Sequence, residues 1–98
     1  MFDKIFEMKQ KMEEAKARLE SISIEGEAGN KEVVVTVNGN KKVQNVFILE
    51  KLMSEDKEQL EDLLAVAINR AMELADKTAE RELKEAAGGI LPNIPGLF

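Results

Sequence analysis

Five cations in the first twenty residues are spaced to meet an anion. Lys4, Lys11 and Arg18 recur at seven-residue intervals on one side of an apolar seam, and Lys9 and Lys16 stand on the other. The seam is Ile5, Met8, Met12, Ala15, Leu19 and Ile22, an alternation of threes and fours that a helix gathers onto one face. In heptad terms it fills positions a and d, every e and g position is basic, and Asp3, Glu7, Glu13, Glu14 and Glu20 fall at b, c and f. Two parallel copies of this helix would set like charges together, so the rim calls for an anionic neighbour. Two neighbours fit: the acids of another helix of the same protein, or the phosphates of a nucleic acid.

Other chemistry is scarce. With no His, Cys, Trp or Tyr, the usual acid–base group at neutral pH and most transition-metal ligands are missing. The hydroxyls are Ser21, Ser23, Ser54, Thr36 and Thr78, none of them beside a base or in a nucleophile elbow. Ser21, Ser23 and Thr36 read as strand residues, Ser54 as a helix cap and Thr78 as a helix surface position. The pairs Glu13-Glu14, Glu55-Asp56 and Glu61-Asp62 would diverge by about 100° on a helix, so they read as solvated faces and not as paired catalytic or Mg²⁺-binding carboxylates. The expectation is a binding protein, not an enzyme, with no cofactor, metal or small-molecule substrate.

Ninety-eight residues make one domain, short enough that oligomerisation would help it bury surface. Apolar residues at 44%, charged residues at 34% and a mean hydropathy of -0.27 belong to a water-soluble, helix-rich chain. No apolar run approaches the roughly 18 residues of a membrane span, and none near the N-terminus resembles a secretion signal, so a cytoplasmic location is expected. Phe2, Ile5, Phe6 and Met8 beside lysines suggest a membrane-surface helix, but Asp3, Glu7, Glu13 and Glu14 would meet an anionic leaflet; no membrane partner is expected. The net charge is -5, with six bases against ten acids from residue 51 onward and an even balance in the first twenty. Such a chain repels DNA at long range, so any binding rests on local basic surfaces. Lys outnumbers Arg, and stacking aromatics are few, which favours phosphate contact over base readout.

The elements follow from changes of period. Residues 2 to about 20 predict a helix; Ile22 and Ile24 then alternate with Ser21, Ser23 and Glu25, Gly26 to Asn30 supply a turn, and Val33, Val35 and Val37 share a strand face. Asn38-Gly39 predicts a type I′ hairpin, followed by a third strand from about Lys41 to Ile48. The runs Val33-Val34-Val35 and Val46-Phe47-Ile48-Leu49 predict cover on both sheet faces. Ser54, with acids at Glu55, Asp56 and Glu58, predicts the start of a long helix that ends at Gly88-Gly89. A broad stripe that includes Leu60, Leu64, Ile68, Ala71, Met72 and Ala75 is the candidate core and dimer surface. From Glu55 to Ala87 this helix would be about 50 Å long, so part of it must project or pack on a second copy. Residues 1–89 thus read as a single α-β-β-β-α domain, and Ile90 to Phe98, with two prolines, as a C-terminal tail or apolar strap.

These pieces in this order resemble one family. The Met- and Lys-rich opening helix, Val33-Val34-Val35-Thr36-Val37-Asn38-Gly39, Val43-Gln44-Asn45-Val46-Phe47-Ile48, Asp56-Lys57-Glu58-Gln59-Leu60-Glu61-Asp62-Leu63, Ala67-Ile68-Asn69-Arg70-Ala71 and the ending rich in Gly, Leu, Pro and Phe, Pro95-Gly96-Leu97-Phe98, are similar to the YbaB/EbfC family of bacterial nucleoid-associated proteins. The resemblance implies a cytoplasmic, nucleoid-associated homodimer, intertwined or sheet-extended, whose projecting helices bind duplex DNA like tweezers. It offers as contacts Lys4, Lys9, Lys11, Lys16 and Arg18 on the first helix and Arg70, Lys77, Arg81 and Lys84 on the last. The competing expectation is a homodimeric protein-interaction scaffold that uses the long helix without touching DNA.

Overall fold

The computed structural model describes residues 2–54 and 56–88. Helix α1 spans Phe2–Ser21, strands β1, β2 and β3 span Ser23–Ala28, Val33–Asn38 and Val43–Ile48, a short helix α2 spans Glu50–Met53, and α3 spans Lys57–Ala87. The strands form one antiparallel sheet in chain order, with Ser23 opposite Asn38 and Val33 opposite Ile48. The α+β order of helix, three-stranded antiparallel sheet and long helix is the one that the periodicities predict. Gly88 closes α3, while the segment read as a tail lies outside the described residues.

Alternation chooses the face that α3 covers. Ile24, Ala28, Val33, Val35, Val37 and Ile48 point to one side of the sheet, and α3 crosses β1 and β2 there. Ala67, Ala71 and Ala75, one per turn, are fully buried against them. The approach is closest at Gly26, where an added Cβ would collide with the Ala67 carbonyl oxygen and the Ala71 backbone nitrogen. This corrects the reading of Gly26 as a turn residue: it is mid-strand because α3 leaves no room for a side chain. The turn is instead Gly29 to Glu32, with positive φ at Gly29, Asn30 and Lys31.

α1 leaves the sheet. Anchored at the β2–β3 turn, it runs antiparallel along the C-terminal half of α3, burying Ala15 and Leu19, and the two helices extend the molecule to 62 Å. The anchor is the Asn38-Gly39 turn, which is not type I′, because Lys41 and not Gly39 takes positive φ. Asn38, only 3% exposed, accepts at Oδ1 from the Asn40 and Lys42 N–H groups at 2.9 and 3.1 Å. The Gly39 N–H donates to the Leu19 carbonyl at 2.8 Å. Glycine is needed there for close approach, since a Cβ would lie 2.7 Å from Leu19 Cδ2.

Two further expectations change. The N-cap of α3 is Asp56, which accepts from the Glu58 N–H at 3.0 Å, whereas Ser54 closes α2 by donating to the Lys51 carbonyl. Both residues are good caps, and the unanticipated α2, seated by buried Leu52, takes the first. Within the single chain the sheet is covered on one face only. β3 begins at Val43 and lies beyond the reach of α3, leaving Val43, Val46 and Phe47 at 52%, 43% and 48% exposure.

The anchor should respond to acid. Glu20 accepts from Asn40 Nδ2 at 2.6 Å and faces Lys42 Nζ at 3.4 Å; the Asn40 hydrogen bond first, and then Lys42, hold its carboxyl below the ordinary glutamate range. Because the folded-state value is depressed, its contribution is present above the unfolded value and is lost as pH falls through the folded one. The protection of the Gly39 and Asn40 amides, measured against their intrinsic exchange rates, should therefore fall on acidification below the ordinary glutamate range, and Glu20→Gln should flatten that response. An identical acid limb in both proteins would remove Glu20 from the account.

Candidate nucleic-acid interface

The α1 cations sit on the shaft that projects from the sheet. Lys4, Lys9, Lys16 and Arg18 are exposed and Lys11 is half-exposed. The three-residue ridge is partly occupied: Lys11 Nζ lies 3.4 Å from Glu7 one turn earlier, and Arg18 Nε lies 3.2 Å from Glu82 Oε2 on α3. Of the two anionic neighbours foreseen for the rim, the acids of another helix are supplied in part, by Glu82 on α3, while Glu7 belongs to α1 itself. Solvated pairs of this kind contribute only about 0.2–1 kcal/mol, too little to withhold either cation from a polyanion.

On α3 the basic residues gather differently. Arg70, Lys77, Arg81 and Lys84 fall within about 60° of one another on a helix of 3.6 residues per turn, turned away from the alanine stripe. Arg70 is engaged, its Nη1 donating to the Glu27 carbonyl of β1 at 2.7 Å. Lys77, Arg81 and Lys84 line a shallow depression together with Glu80, and among the described residues no carboxylate forms an ion pair with any of the three. From Lys77 to Lys84 the axial rise is about 10 Å, close to three phosphate steps of one DNA strand. A neighbouring depression, lined by Glu25, Gly26, Glu27, Arg70, Glu73, Leu74 and Lys77, carries three acids and suits phosphate poorly.

The candidate core residues divide. Ala71 and Ala75 are consumed by the chain's own sheet, whereas Leu60, Leu64, Ile68 and Met72 are half-buried at the core margin. The exposed residues of β3 were not among those candidates, although the unbroken apolar run from Val46 to Leu49 was their signal. Among the described residues no cluster of acids is placed to hold a metal ion, and no helix is long and apolar enough to cross a membrane.

Comparison with known proteins places this geometry in context. The sequence profile of the YbaB/EbfC DNA-binding family matches residues 1–90. A nucleoid-associated protein of Flavobacterium johnsoniae is 40% identical over 97 residues, covering 99% of this chain and 91% of the relative. Similar proteins, also called nucleoid-associated, come from Alkaliphilus metalliredigens, 36% identical over 100% of this chain and 85% of the relative, and from Legionella pneumophila, 38% identical over 90% and 77%.

Proposed function

Since the chain belongs to the YbaB/EbfC DNA-binding family, we propose that it is a nucleoid-associated protein that holds duplex DNA as a homodimer, mainly through phosphates and with little base readout. One observation carries the phosphate reading: Lys77, Arg81 and Lys84 share an exposed face of α3 and form no ion pair among the described residues. Lys4, Lys9, Lys16 and, once released from their weak pairs, Lys11 and Arg18 supply a second basic line on the same shaft. Arg70, bound to β1, plays a lesser part. The family's name denotes binding, and no catalytic role is assigned to any residue.

The test is a titration of labelled duplexes of unrelated sequence across salt. Affinities should agree between sequences, and log K should fall against log salt with a slope of about 0.9 per phosphate neutralised. No binding at low salt would favour the scaffold reading; strong discrimination between duplexes would overturn the phosphate mechanism.

Homodimerisation rests on β3. Its open edge is available for pairing, and Val46 and Phe47, which point to opposite faces of the sheet, leave exposed apolar surface on both sides of β3 that a second copy would cover. Light scattering should give twice the 10.9 kDa chain mass, and Phe47→Asp should return the mass to one chain with the fold intact. A single-chain mass for the unaltered protein at micromolar concentration would end this reading.

A further inference from the structure

We propose that Asn38-Gly39 is a latent self-modification site, a spontaneous deamidation centre that docked α1 holds shut and that opens when α1 leaves the turn. Asparagine followed by glycine is the pair in which the next backbone nitrogen most readily attacks the side-chain amide, because glycine presents no Cβ to obstruct the approach. The Gly39 nitrogen bonds to Asn38 Cγ, the Cγ–Nδ2 bond breaks, and ammonia departs with the former Gly39 amide proton, leaving a cyclic imide. Water then adds to one of the two imide carbonyls. Opening one way gives aspartate, and opening the other gives isoaspartate with the main chain rerouted through the side chain. The net change is loss of ammonia and gain of water, with no other reactant.

Every group in this reaction is engaged when α1 is in place. The nucleophile is committed, since the Gly39 N–H donates to the Leu19 carbonyl at 2.8 Å. The electrophile is held too: Asn38 Oδ1 accepts from the Asn40 and Lys42 N–H groups, and the Asn38 N–H donates to the Lys42 carbonyl at 2.9 Å. Water, needed to carry away the proton and to open the imide, is excluded from a residue only 3% exposed. The cover is α1, because Leu19 lies directly on Gly39, and Asn40 Nδ2 donates to the Lys16 carbonyl at 3.2 Å and to Glu20 at 2.6 Å.

Reaction at this place would be consequential. Aspartate puts a charge in a nearly buried site, and isoaspartate lengthens the backbone inside a turn whose four hydrogen bonds depend on its register. Either product keeps α1 from reseating. One opening event is thereby converted into permanent loosening of the shaft that carries Lys4, Lys9, Lys11, Lys16 and Arg18, which makes the turn a timer for that arm.

The experiment follows isoaspartate and the amide-to-acid mass change in the peptide that contains Asn38, during incubation at mildly alkaline pH. The native chain, the chain in urea and the variants Leu19→Ala and Asn40→Ala are compared. Native protein should react at least about tenfold more slowly than the urea-unfolded chain, a ratio equal to about 1.4 kcal/mol of opening free energy. Both variants should accelerate Asn38 selectively, with β2 amides still protected from hydrogen exchange and with Asn30, Asn45 and Asn69 unchanged. Should Leu19→Ala unfold the sheet, Asn40→Ala, which leaves the Leu19 contact with Gly39 intact, decides alone. Equal rates in native and unfolded protein, or no acceleration in a folded variant, would overturn the proposal.

Discussion

Gly26→Ala is expected to lower the unfolding free energy by about 3 kcal/mol, at the top of the usual range for overpacking, because the added methyl meets backbone and not a movable side chain. The Ala67 carbonyl oxygen and Ala71 nitrogen lie well inside contact distance of the new Cβ, and Ala71 Cα is 2.8 Å away. α3 can relieve this only by lifting from β1, which would open the alanine stripe that seals Val33, Val35 and Val37. Urea unfolding followed by circular dichroism measures the effect, and a loss below about 0.5 kcal/mol, the ordinary scatter of surface substitutions, would show that the approach is looser than described. Gly29 is the control. It already takes φ +62, so alanine there meets backbone strain and the Leu63 side chain, without forcing α3 from the sheet.

Reversal of Lys77, Arg81 and Lys84 to Glu together should cut duplex affinity by at least about a hundredfold near 0.1 M salt and reduce the log-log salt slope by about three, one per phosphate contact removed. Thermal stability should hardly change, because these side chains are exposed and unpaired among the described residues. The matching triple reversal of Lys4, Lys11 and Arg18 should behave differently. It would set Glu at position 18 against Glu82 and Glu at position 11 against Glu7, so some stability is lost together with binding. If the α1 variant alone abolishes binding, the phosphate contact belongs to α1; if neither does, the basic shaft is not the DNA surface.

The difference between these two ridges shows where one-dimensional reading stops. The heptad spacing of Lys4, Lys11 and Arg18 was plain in the sequence, as was their need of an anion. That Arg18 already faces Glu82 was not, because the partner stands 64 residues away and is chosen by the direction in which α1 packs. On α3 the spacing of Lys77, Arg81 and Lys84 was equally visible. Only packing could decide that this face points away from the sheet while Ala67, Ala71 and Ala75 point into it.

Within the sequence alone lay everything set by local period and composition: two helices and three strands in order, the α+β class, the apolar faces, a helix too long for a compact domain, and the lack of His and Cys. Those features depend on side chains a few positions apart, where a period of 3.6 or 2 is decisive. The tertiary structure decided the rest. It made Gly26 a strand residue under a crossing helix, turned Asn38-Gly39 from a type I′ hairpin into the seat of Leu19, gave the α3 cap to Asp56, and left β3 exposed at the sheet edge beyond α3. Each of these outcomes follows from contact between residues far apart in the chain, and a glycine demanded by another element's backbone is written no differently from one demanded by φ.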